Sequence, residues 1–121
     1  MILVLFEVTV KKEGMKEYLS LAEGLKKELI QTDGFIRAER FSSLTHEGKL
    51  LSLSVWESEQ AVEKWRNGMN HRMSQRQGHD ALFESYTITI TSKIRQYTKT
   101  DRTESPEDSK DFFASTPQGK K

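Results

Sequence analysis

A chain of 121 residues with 31% charged and 35% hydrophobic side chains has the length of one domain and the composition of an ordinary globular protein, neither fibrous nor low in complexity. Nineteen basic against eighteen acidic side chains leave a net charge of +1, which excludes the basic footprint of a nucleic-acid binder. Cysteine is absent, so disulfides, thiolate metal sites and a cysteine nucleophile are excluded as well.

The first element, ILVLFEVTV over residues 2–10, is apolar at both alternating sets of positions except for Glu7 and Thr9. A strand of this kind belongs where both faces are covered, and a carboxylate there needs a partner, solvent or a polar pocket. Met15, Tyr18, Leu19, Ala22, Leu25 and Leu29 then recur at helical spacing among charged residues, with Gly34 after Asp33 as the stop. GFIRAERFSSL and KLLSLSVW, joined by the turn-like THEG, predict a hairpin in which Leu51, Leu53 and Val55 alternate with Ser52, Ser54 and Trp56. Ser58 is placed to cap a second helix whose apolar stripe is Ala61, Val62, Trp65, Met69 and Met73, with an irregularity expected at Gly68. The last strand alternates Tyr86, Ile88 and Ile90 against threonines.

The order strand, helix, strand, strand, helix, strand predicts an α+β, ferredoxin-like βαββαβ domain with an antiparallel sheet and both helices on one face. Because the first strand is apolar on both sides, the uncovered face is expected to meet a second copy of the chain, giving a homodimer. The domain is placed at residues 1–98. Residues 99–121 lose periodicity and form a polar tail whose exception is Phe112 and Phe113. No stretch approaches the roughly 20 apolar residues of a membrane span, and the apolar start ends at Lys11 and Lys12 without a cleavage signal. The reading is a cytoplasmic protein with neither membrane nor nucleic-acid partner.

The block GKLLSLSVWESEQAVEKWRNGMNHR, a strand ending in Trp56 followed by a helix carrying Trp65, resembles the antibiotic biosynthesis monooxygenase family, and the strand order extends the resemblance to about residues 1–98. The resemblance implies a dimeric α/β barrel with a pocket between the sheet and the second helix of each subunit. It also implies either a cofactor-free oxygenase of phenols and quinols, a haem-degrading monooxygenase, or a non-catalytic small-molecule binder. The haem branch pairs an Asn on the first strand with a Trp and an axial His on the second helix. Here Trp65 matches, while Glu7 and Gln75 occupy the other two positions, so no haem and no metal is expected. His71 and His79 flank Gln75 by one turn each, and at 1.5 Å per residue they stand about 12 Å apart, too far to share one ion.

For the cofactor-free reading, a small aromatic phenol or quinol must lose a proton before it can give an electron to molecular oxygen. Glu7 is the candidate base, and a carboxyl raised to about 7 would still fall about three units short of a phenol near 10. A cation or donor must make up the difference. His71 and Arg72 are candidates for holding the oxyanion, Trp65 for stacking on the ring, and Met69 and Gln75 for lining the site. The plain readings stand beside these: Glu7 in an ion pair with Arg40 or another cation, Trp65 and Trp56 as core, and His71 and His46 as solvated groups.

Overall fold

The computed structural model describes residues 1–75 and 82–107, giving the backbone alone for residues 69–75. Strand β1 (Ile2–Val10) leads through a short 3-10 turn (Lys12–Gly14) into helix α1 (Met15–Leu29). Strands β2 (Phe35–Ser42) and β3 (Lys49–Trp56) form the hairpin, helix α2 (Glu59–Gln75) follows, and β4 (Phe83–Ser92) closes the sheet. The four strands lie in the order β2-β3-β1-β4, with every neighbouring pair antiparallel. This is the ferredoxin-like arrangement that the element order predicts.

Local chemistry explains the boundaries. The Ser58 side-chain oxygen accepts from the Ala61 N–H at 3.2 Å, which caps the first turn of α2. Gly34 has φ +86, and a Cβ there would stand 2.5 Å from the Cβ of Ala61. The glycine therefore both permits the turn into β2 and lets that turn press against α2. Helix α2 runs unbroken through Gly68 to Gln75, so the irregularity expected at that glycine does not occur. One poor helix former costs only about 1 kcal/mol, which the flanking turns carry.

Registers fix the two faces of the sheet. Val4 lies between Ser54 and Ile90, and Phe6 between Ser52 and Ile88; these residues share the face covered by the helices. Leu3, Leu5, Leu51, Leu53 and Val55 lie on the other face with Glu7 and the threonines of β4. The main core sits under α1 at one end of the sheet, where Val8 and Val10 pack with Tyr18, Leu82 and Phe83. The Tyr18 and Phe83 rings meet edge to face at 5.6 Å. At the other end Trp56, 1% exposed, packs edge to face on Phe35.

Beyond β4 the chain does not simply trail away. The Lys93 N–H donates to the Met1 carbonyl, the Gln96 N–H to a Glu104 carboxylate oxygen, and Arg102 lies 5.0 Å from the centre of the Tyr97 ring. Residues 94–107 thus form a hydrogen-bonded loop, whereas Phe112 and Phe113 lie outside the described residues.

Candidate functional site

Between the two packed ends lies a cavity of about 500 Å³, bounded by the sheet below and both helices above. Its origin is the sequence of β3. On the helix-facing side that strand offers Ser52 and Ser54 before Trp56, and β2 offers Ala38 beside Ser54. Small side chains in the middle rows of the sheet cannot reach the helices, which rest instead on the large residues at either end. The expected pocket is therefore present, but among the described residues α1 contributes more of its wall than α2. Tyr18, Leu21 and Leu25 line it from α1, and Val62 and Trp65 from α2.

The walls are aromatic and aliphatic, with a few polar groups placed among them. Trp65 is half-buried, its ring 6.4 Å from that of Trp56 and inclined to it by 36°. The Trp56 Nε1–H donates to the Ser54 hydroxyl at 2.9 Å, so this indole is fixed by a bond as well as by packing. Tyr86, Ile88 and Ile90 line the β4 side and are 49%, 45% and 42% exposed, which makes that side the mouth. Arg40 enters from β2 and pairs with Glu23 of α1 at 3.8 Å. Burial pushes the Tyr18 phenol above its ordinary value, and the positive charge of Arg40 acts in the opposite direction.

The candidate residues read from sequence divide three ways. Trp65 lines the cavity as expected. Glu7 does not: strand alternation puts it on the opposite face of the sheet, where its carboxylate pairs with Lys49 at 3.7 Å and its side chain is 44% exposed. The expectation that Glu7 and Trp65 face one another across a pocket is corrected by this register, since a residue one step from Phe6 must point the other way. The ion-pair alternative holds with Lys49 rather than Arg40, which belongs to the helix-facing side. Met69, His71, Arg72 and Gln75 lie on the C-terminal part of α2, whose side chains are outside the described residues, as is His79. Among the described residues no group of three or more His, Cys, Asp or Glu could hold a metal.

Tyr18, Arg40, Ser52 and Ser54 were not legible as site residues. The signal that could have revealed the serines is their alternation with leucines on a strand flanked by helices, but this pattern reads equally as a solvated face.

An antiparallel four-stranded sheet with two helices over an apolar cavity defines an α+β domain of the ferredoxin-like class. The chain belongs to the antibiotic biosynthesis monooxygenase family, whose family model matches residues 1–77. It is 37% identical over 98 residues to a jasmonate monooxygenase of Pyricularia oryzae, covering 78% of this chain but only 46% of that relative's length. Among solved structures, it is similar to SnoaB of Streptomyces nogalater, a cofactor-independent oxygenase, at a TM-score of 0.64 and 13% identity, covering 78% of this chain and 94% of that one. It is similar also to Rv0793 of Mycobacterium tuberculosis at a TM-score of 0.68 and 15% identity, covering 80% and 98%. At such identities the structural likeness speaks for the fold alone. No helix among the described residues is long and apolar enough to cross a membrane.

Proposed function

We propose that the chain is a cofactor-independent monooxygenase that oxidises a small, mostly apolar phenol-, quinol- or anthrone-type substrate with molecular oxygen. The observation that carries this reading is the cavity itself: about 500 Å³, within the range of small-molecule sites, with an indole wall and few polar groups. Family membership supports the reaction type, and the jasmonate relative supports a substrate of small organic size.

The chemistry restricts the substrate. Hydroxylating an unactivated C–H bond needs two electrons from outside, whereas a CH₂ group flanked by aromatic rings and conjugated to a carbonyl supplies all of them. Such a group loses a proton and gives one electron to oxygen. The radical pair then couples to a C–O bond, and the peroxide loses water as its O–O bond breaks. The balance is CH₂ plus O₂ to C=O plus H₂O. The protein's contribution is to hold the anion in a dry site with its ring against Trp65, while oxygen and the departing proton use the mouth beside Tyr86. The working unit is proposed to be a homodimer joined through the open sheet face, where half-buried leucines of β1 and β3 form a continuous apolar stripe.

The test is oxygen uptake with anthrone and a panel of quinols, with ¹⁸O₂ expected to place one labelled atom in the ketone. Saturable binding of these molecules with no oxygen consumed by any of them would replace the oxygenase reading with that of a binding protein.

A further inference from the structure

The cavity is apolar in its walls but not in its charges. Among the described lining residues, Lys26, Arg40 and Arg66 are cationic and Glu39 alone is anionic, and Glu39 sits at a β2 position whose side chain belongs to the opposite face. In a chain of net charge +1 this is a local surplus, not a general one. Lys26 and Arg66 are exposed residues of the two helices, at the rim. Arg40 differs. It rises from the sheet floor, its side chain is 31% exposed, and it shares the cavity with the buried Tyr18. Its ion-pair partner Glu23 is 61% exposed at 3.8 Å, a screened and weak competitor. A guanidinium held at the edge of an apolar enclosure by so little is available to a ligand anion that enters from within. The Tyr18 phenol, protonated at neutral pH as any tyrosine is and more firmly so for its burial, can donate a hydrogen bond to the same anion.

We infer that Arg40, with Tyr18 beside it, forms a subsite for one anionic oxygen group, a carboxylate or an ionised phenol, on a ligand whose remaining body is apolar. The inference deepens the oxygenase reading by naming the charged end of its substrate. It also places a cationic donor on the helix-facing side of the sheet, whereas Glu7, the candidate base, lies with Lys49 on the other face.

Three probes sharing one ring system test it on the full chain by calorimetry: 1-naphthoate, 1-naphthol and the neutral 1-naphthalenemethanol. Wild-type protein is expected to bind naphthoate about tenfold or more tighter than the alcohol, the scale of a charge-assisted hydrogen bond. Arg40→Gln is expected to erase that preference while leaving the alcohol within about twofold, as the loss of one polar group predicts. Glu23→Gln, which removes the competitor, should strengthen naphthoate binding by up to about fivefold. Arg37→Gln makes the same change of charge from the other face of β2 and should alter neither. If the subsite prefers an ionised phenol, the absorbance of naphthol will report ionisation at lower pH on the wild type but not on Arg40→Gln. Lys26, Arg66 and Tyr86, which also face the cavity, are unchanged between the two proteins. A wild type that prefers neither anion to the alcohol overturns the inference, as does an Arg37→Gln variant that loses as much as Arg40→Gln. None of these readings uses oxygen, so a silent oxygen electrode would fell the oxygenase reading and leave the subsite standing. Oxygen uptake unaffected by Arg40→Gln, with no anion preference, would do the reverse.

Discussion

On the helix-covered face of the sheet, β3 presents Ser52, Ser54 and Trp56; on the open face it presents the half-buried Leu51 and Leu53 and, toward its end, Val55, which the chain itself already buries. The strand thus turns its more apolar side away from its own helices. The two faces solve different problems. The covered face needs room, and serines supply it, with a polar oxygen that fixes an indole. On the open face the described residues leave leucines of two adjacent central strands only half-buried, so covering them further, as in the proposed dimer, is favourable in proportion to the area removed from water. The lesson is that apolarity in one strand cannot be assigned to the interior of one subunit without knowing which side the helices take.

Substitutions that act on one face and spare the other sharpen this contrast, beginning with the largest expected effect. Trp56→Ala removes a side chain 1% exposed that anchors the covered face against Phe35, and is expected to cost about 3–5 kcal/mol in urea unfolding. Leu53→Asp on the open face should leave the fold intact but convert the proposed dimer to a monomer in light scattering, since two carboxylates cannot be buried unpaired across a joint. A wild type that is monomeric at micromolar concentration would break this half of the contrast outright. Trp65→Ala is expected to weaken binding of an aromatic ligand by about ten- to a hundredfold, the loss of one stacking wall, with a smaller effect on stability than Trp56→Ala because Trp65 is only half-buried.

Smaller effects follow. The Tyr18 phenol is held above its ordinary value of 10.0 by burial, so it is raised in the folded state relative to the unfolded one. Its contribution is complete at neutral pH and is lost as pH rises beyond about 10, where the unfolded chain gives up the proton first. Tyr18→Phe should therefore flatten the fall of thermal stability above that pH. Least of all, Glu7→Gln breaks a solvent-screened pair with Lys49 and is expected to change stability by less than about 0.5 kcal/mol, leaving oxygen uptake unaltered. Abolished uptake with the fold intact would return Glu7 to the reaction and require the open face to take part in it.

The fold was legible in the residues because each element carries its own period. The helical spacing from Met15 to Leu29, the alternation from Leu51 to Trp56, the cap at Ser58 and the glycine at position 34 are local signals, and local backbone physics is enough to read them. Trp65 was legible too, since a tryptophan on the inner stripe of a helix must meet the sheet. What remained hidden was which way each strand faces. A period of two gives two sets of positions without saying which set looks toward the helices, and β1, apolar on both, gave no preference at the position of Glu7. Only the pairing of β1 with β3 and β4 under the two helices settled it, placing Glu7 beside Lys49 on the open face. The same pairing set Arg40 on the cavity's edge with Tyr18, and made the serines of β3 the floor of a cavity. Residues 12 or more apart in sequence met there because the sheet's register, a property of all four strands together, decides what each side chain touches.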